Sequence, residues 1–326
     1  MTLEEMEKYI VRYDDLKPCK TAFIDAHTPG SSQKDNFTII GSGVSESLDQ
    51  HVHINQTPGF NIGAAGQPPK CFNSLHYHNT AEVFFVLKGC WRFFWGLNGN
   101  AGEVILNEGD IFNIPTHVFR GFENVGREYG MIMSILGGDD SGGGVVWAPQ
   151  VLDAATAHGL ILSETGLLYD TKKGQKLPVG DKPMTKLSEK EMLGIPEVPV
   201  HYVVRDYVAR YWDLMALSKN ESCLVVGEKG LLKDKPGFEI EFISSKSLAQ
   251  ELYSINYFEV LMPMKGDWNL TWEGGETVLK PGDTCLLKPN LEHSLIAVDT
   301  SESSLYRITN TDDLAGPTWR GWSTKR

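Results

Sequence analysis

The sequence predicts an all-β protein made of two diverged copies of one small antiparallel barrel. Three observations predict it. Two long stretches share the texture of short strands; a set of residues recurs at fixed separation across them; and helical signals are confined to the N-terminus and to the segment between the two stretches.

The first β stretch runs over residues 35–138 and the second over 200–315. In both, short runs of aromatic and β-branched residues are punctuated by Gly, Asn and Pro, as expected of strands joined by tight turns. The recurrence is specific. Glu259, Gly266, Trp268 and Trp272 each lie 177 positions after Glu82, Gly89, Trp91 and Trp95. Further on, Gly275, Gly282 and Asp283 follow Gly102, Gly109 and Asp110 by 173. A four-residue difference in one hairpin loop accounts for the change, with Asn98-Gly99-Asn100 in the longer loop and Gly274-Gly275 in the tighter one. Seven positions in register across a single deletion mark a duplication. Trp91, Phe93 and Trp95 alternate along one strand, as do Trp268, Leu270 and Trp272, so each set faces one side. Barrel core is the plainer assignment for them, and stacking on a substrate the alternative.

The remaining segments read as helical or as linkers. Thr2 with Glu5 is a capping box, and Leu3, Met6, Ile10 and Tyr13 continue at helical spacing until Pro18. They predict a helix over roughly residues 3–14 within an N-terminal arm of residues 1–34. The run Gly137-Gly138-Asp139-Asp140-Ser141-Gly142-Gly143-Gly144 is a flexible hinge by composition and opens a partly helical linker over 139–199. Within that linker, Pro149 to His158 predicts a short helix ended by Gly159, with Val151, Leu152 and Ala155 on one face, and Ser188 with Glu191 caps another turn. A tail over 316–326 is polar and basic.

Bulk composition excludes several classes. At 326 residues, 41% hydrophobic and 22% charged, the chain has an ordinary globular balance. Its net charge of −12 and lack of a basic run argue against a nucleic-acid or anionic-membrane partner. No apolar run reaches the roughly 18–20 residues of a membrane span. The acidic start, Met1 to Lys8, lacks the basic and apolar regions of a secretory signal, so the expected location is cytoplasmic. Five scattered cysteines (Cys19, Cys71, Cys90, Cys223 and Cys285) without a Cys-x-x-Cys pair read as reduced thiols.

The chemistry resides in Leu75-His76-Tyr77-His78-Asn79-Thr80-Ala81-Glu82. Two histidines at i and i+2 on a strand project from the same face, and a carboxylate after a short bend can return to it. Two imidazoles and a carboxylate suit Fe, Mn, Ni, Cu or Zn and leave positions open for water, substrate or O₂.

Here the sequence resembles the cupin superfamily. That family's first motif is His-x-His, three or four residues, Glu, six residues, Gly, met by His76, His78, Glu82 and Gly89. Gly109, Pro115 and Asn124 match the second motif. The resemblance covers both β stretches and implies a two-barrel member, a bicupin of jelly-roll barrels. It departs from the family in two places. Lys70 replaces a turn glycine, and Arg120 stands where a fourth ligand, His, is usual, with His117 nearby in the place of a glycine. Three arrangements stay open. A metal is held by His76, His78 and Glu82 with Arg120 beside it as a catalytic group binding an anionic substrate; or a backbone shift brings His117 in as a ligand; or Arg120 pairs with Glu82 in a degenerate site. In the second copy, Tyr253 and Ile255 replace the two histidines, while Glu259 and His293 remain, which predicts a buried pair or a metal-free pocket.

The resemblance implies one divalent transition metal, Fe(II) foremost, in barrel 1, and a dioxygenase-type oxidoreductase acting on a small, aromatic or enolisable substrate with O₂ as partner. The alternatives are a non-redox metal lyase or isomerase, and a non-catalytic small-molecule-binding bicupin. Monomer and homodimer are both compatible with two fused barrels.

Overall fold

The computed structural model describes residues 1–138, 144–232, 237–247, 252–299 and 302–310. Most of the glycine-rich hinge and the whole of the 316–326 tail lie outside these residues.

The first barrel pairs a seven-stranded sheet with a five-stranded one. In the larger sheet, Glu82–Lys88 lies between Ile111–Ile114 and Gly130–Gly137, and Phe60–Gln67 and Asp35–Ile40 follow outward. In the smaller sheet, Phe72–Tyr77, Arg120–Asn124 and Cys90–Trp95 are neighbours. The second barrel repeats this plan with a six-stranded and a three-stranded sheet. The predicted loop difference is present. Residues 96–101 connect the paired Trp95 and Gly102, whereas residues 273–274 connect the paired Trp272 and Gly275.

The run Val83-Phe84-Phe85-Val86-Leu87 is apolar throughout because its strand is covered on both faces. Phe84 and Val86 face the barrel interior with Trp91, Phe93, Trp95 and Phe122. Val83, Phe85 and Leu87 face a second core shared with the other barrel. There Phe85 packs on Tyr306 at 4.7 Å between ring centroids, and Phe60 on Phe238 at 5.5 Å. Trp268, Leu270 and Trp272 fill the second barrel.

The N-terminal helix is shorter than predicted. The Thr2–Glu5 capping box forms, but the helix spans only Leu3–Glu7. The chain then enters a short strand, Ile10–Val11, paired with Thr284 and Cys285 of the second barrel. Met6 and Ile10 do reach one core, as their spacing suggests, but as helix followed by strand. Tertiary pairing of β-branched residues overrides the local periodicity.

The segment before the second barrel mirrors this arm. Helix Val200–Tyr207 leads into strand Val208–Ala209, which pairs with Ile111 and Phe112 of the first barrel. Each arm then clasps the Gly-Asp turn of the barrel it joins. Arg12 Nη1 and the Tyr13 N–H donate to the Asp283 carboxylate at 3.0 and 2.9 Å. Arg210 Nη1 and the Tyr211 N–H donate to Asp110 at 2.7 and 2.9 Å. Tyr13 lies so close over Gly282, and Tyr211 over Gly109, that a Cβ at either glycine would sit 2.5 or 2.2 Å from the ring. The duplication therefore extends to the arms, and each arm docks on the other copy's barrel.

The intervening segment is more than a tether. Val146–Trp147 adds an edge strand beside Phe72–Tyr77, with Trp147 opposite His76. Helix Pro149–Ala157 buries Val151, Leu152 and Ala155 as predicted. Ser188 and Glu191 form the predicted capping box on Glu189–Leu193. None of the five cysteines is paired in a disulfide. Among the described residues, no helix is long and apolar enough to cross a membrane.

Candidate metal centre

His76 ends the Phe72–Tyr77 strand with Tyr77, His78 follows in the bend, and Glu82 opens the next strand of the opposite sheet. The bend returns the carboxylate to the face carrying the two rings. One ligand atom from each of His76, His78 and Glu82 lies within 4.8 Å of the others, and all three residues are buried. Among the described residues this is the one group of His, Cys, Asp and Glu side chains so arranged.

The imidazoles are oriented from behind. His76 Nδ1–H donates to the Ser74 carbonyl at 2.8 Å, and His78 Nδ1–H to the Gly144 carbonyl at 2.7 Å. Each ring thus carries its proton on Nδ1 and turns Nε2 toward the common point, the arrangement of a neutral ligand with a fixed tautomer. Burial keeps both rings neutral. It holds His76 well below the usual imidazole range, with Arg120 adding to the effect, and His78 at about 4 against the opposing pull of Glu82.

Arg120 opens the strand opposite His76 and is buried. Its Nη2 makes an ion pair with Glu82 Oε2, and its Nη1 donates to the His76 carbonyl at 3.2 Å. The guanidinium thus holds the same Glu82 oxygen that lies 3.7 Å from His78 Nε2, which is the Arg120–Glu82 pairing of the third arrangement, and Arg120 is not in the wall of the adjoining cavity. The structure does not bring His117 into the group. His117 is exposed in a tight turn at φ 60°, with its ring 5.6 Å from that of Tyr77. Its backbone N–H bonds to the His78 carbonyl, so it supports the loop while its side chain points elsewhere.

The cavity beside the three ligands holds about 60 Å³. Its walls include Phe84, Phe122 and Trp147, Cys19 and Phe23 from the N-terminal arm, and Ser45 from the loop after Asp35–Ile40. Trp91, Phe93 and Trp95 are not in its wall; they are fully enclosed core residues. Several supporting groups carry no signal in the local sequence. The Trp147 ring lies 5.2 Å from that of His76, and its indole N–H donates to Glu46 at 2.5 Å. Glu46 also accepts the Ile24 N–H at 2.7 Å, and burial pushes its carboxyl up to about 8. Lys34 and Asp25 form a buried ion pair; Lys34 also donates to Asn73 at 2.6 Å, and Asp25 accepts the Ser74 N–H at 3.0 Å. That network fixes the backbone whose carbonyl orients His76.

The donor set fits a divalent transition metal in number and kind: two neutral imidazoles presenting Nε2, one carboxylate, and a small cavity beside them.

Comparison with known proteins agrees with this architecture. Residues 66–136 match the cupin domain. Among solved structures, a variant of the Bacillus subtilis oxalate decarboxylase aligns with a TM-score of 0.52 and 14% identity, over 94% of this chain and 78% of that one. Salicylate 1,2-dioxygenase from Pseudaminobacter salicylatoxidans aligns at 0.51 and 14%, over 92% and 83%. Protein Ylba from E. coli aligns at 0.50 and 10%, over 93% and 90%. The chain is a bicupin in fold. At such identities the likeness establishes fold and leaves activity open, and no curated protein matches the sequence.

In the second barrel of this bicupin the equivalent positions hold a different group. Tyr253 pairs across the strands with His293, as His76 pairs with Arg120 in the first barrel. The Tyr253 hydroxyl donates to Glu259 Oε1 at 2.8 Å, and His293 Nε2 lies 3.4 Å from Glu259 Oε2. Burial and the Glu259 charge raise the Tyr253 phenol well above its usual range, so it stays a donor. The phenol engages Oε1 and leaves Oε2 facing His293, but Tyr253 and Ile255 stand where the first barrel has its two histidines, so only one imidazole and one carboxylate remain.

Proposed function

We propose that this bicupin is a metal-dependent enzyme acting on a small organic acid in its first barrel, and that its activity is of the dioxygenase type with Fe(II). The observation that carries the reading is the convergence of His76, His78 and Glu82 beside a small cavity. Two histidines and one carboxylate with open positions are the ligand set associated with non-haem Fe(II) oxygenases. Iron bound there would supply Lewis acidity and an electron path to O₂, and a dioxygenase reaction, which places both oxygen atoms in product, needs no external reductant.

The chain's own residues set the conditions. Ser74 and Gly144 carbonyls hold the imidazole protons on Nδ1 and away from the cavity. Arg120 orients Glu82 as a positioning residue, and its charge cancels that of the carboxylate. A divalent cation would therefore leave the buried site with two uncompensated positive charges. An anionic substrate balances them, which is why we assign an acid or enolate. Phe84, Phe122 and Trp147 exclude water around it. The solved salicylate dioxygenase shows that the two-barrel architecture accommodates a protein of that name.

Metal analysis of protein purified without added metal, followed by O₂ uptake with a panel of small organic acids, tests the reading. About one equivalent of iron, lost together with O₂ uptake in His76→Ala, is the expected result. Stoichiometric metal with turnover but no O₂ consumption transfers the assignment to a lyase or isomerase. Folded protein that takes up no metal overturns the enzyme reading in favour of a binding protein.

A further inference from the structure

A second cavity of about 350 Å³ adjoins the metal centre, and Val44, Ser45, Val145 and Trp147 line both. Trp147 is the partition: one side of the indole faces His76, and its N–H is anchored on Glu46 in the outer wall. The rest of the outer wall comes from the inter-barrel segment, chiefly Leu152, Leu162, Met184 and Leu187.

Two features define what fits there. The inner cavity, at about 60 Å³ against about 350 Å³, is the smaller of the two and lies directly beside the ligands. In the outer cavity the polar side chains are already engaged within the protein. Ser45 bonds the Ala22 carbonyl at 3.4 Å, Thr165 meets Ser163 and Asp181 at 2.6 and 3.3 Å, and Thr185 bonds Glu164 at 2.8 Å. Glu46 has both oxygens occupied, by Ile24 and Trp147. The hydrocarbon surface open to a ligand is that of Leu152, Leu162, Met184 and Leu187, which lies beside a polar share of comparable area.

We propose that the outer cavity seats the apolar tail of an amphiphilic substrate whose anionic head reaches the inner cavity past Trp147. The substrate class is thus an organic acid with an aliphatic or aryl tail, selected by the inter-barrel segment. This rests on the reading of the metal centre given above and narrows it.

The test uses full-length protein loaded with zinc, which binds the head without redox turnover, and a series of straight-chain 2-oxo acids from pyruvate to about ten carbons. Binding is read by calorimetry. Each added methylene is expected to tighten binding by about fourfold until the cavity is filled. Met184→Trp, at a half-buried position, fills the cavity and is expected to flatten the series while leaving pyruvate binding unchanged; Leu187→Trp does the same from a neighbouring wall. Near-UV circular dichroism verifies that each variant is folded. Pyruvate binding with no gain along the series overturns this inference and leaves the metal centre intact. A series in which no member binds zinc-loaded protein overturns both.

Discussion

Glu46 gives the fold a pH dependence of unusual sign. Its carboxyl is buried, accepts the Ile24 N–H and the Trp147 indole N–H, and holds its proton up to about pH 8 in the folded state. In the unfolded chain it releases that proton near the usual value of 4.5. Between those limits folding takes a proton up, so stability falls as pH rises and the loss is complete above about 8. At about 1.4 kcal/mol per pH unit, the full interval amounts to roughly 5 kcal/mol. Glu46→Gln removes the titration. It also leaves one of the two N–H donors without a carbonyl partner, costing about 1–3 kcal/mol at every pH. Urea unfolding of both proteins between about pH 5 and 9 should therefore show the variant less stable in acid and more stable in base, with curves that cross. The His76 and His78 contributions run the other way, present above the imidazole range and lost as pH falls, but they are common to both proteins and cancel in the difference. Parallel curves would refute the assignment of a buried, protonated Glu46.

Two further predictions address the support of the centre and the arms. Lys34→Met leaves Asp25, fully buried, without its cation, and should cost about 3–5 kcal/mol in urea unfolding, with part recovered in the Lys34→Met/Asp25→Asn double variant. Gly282→Ala places a methyl 2.5 Å from the Tyr13 ring at φ 90°, whereas Gly166→Ala, at φ 80°, meets nothing within 4 Å. Both carry the strain of left-handed backbone, about 1 kcal/mol. Only Gly282→Ala should also loosen the arm, seen as a further drop of several degrees in Tm and faster proteolysis before residue 18.

What was legible in the sequence is what barrel geometry fixes locally. The turn glycines and alternating tryptophans recur because each barrel needs the same hairpins and the same inward faces, so the duplication could be read directly. His76, His78 and Glu82 were legible because their convergence depends on one strand end and one bend. The sequence left three arrangements open for Arg120 and could not choose among them; its ion pair with Glu82 and its bond to the His76 carbonyl form only once the two strands are brought together. His117 is near only in sequence, and a left-handed turn sends its side chain outward. Trp147, Glu46 and the Lys34–Asp25 pair were illegible because each reaches the centre through long-range pairing, from segments whose local pattern reads as linker or arm. The Val11-Arg12-Tyr13 and Ala209-Arg210-Tyr211 correspondence was present in the sequence, and the repeated Arg-Tyr pair was the available signal.

The crossed arms tie the halves together as one cooperative object. A chain cut anywhere between the barrels would yield two pieces, each carrying the edge strand its counterpart requires and exposing the unpaired backbone where its own should lie. Separate halves would then meet as complementary partners, each completing the other, and neither would stand as a self-sufficient barrel. The gene duplication that made this chain thus left two copies that depend on each other for closure, even though only one of them retained the ligands for a metal.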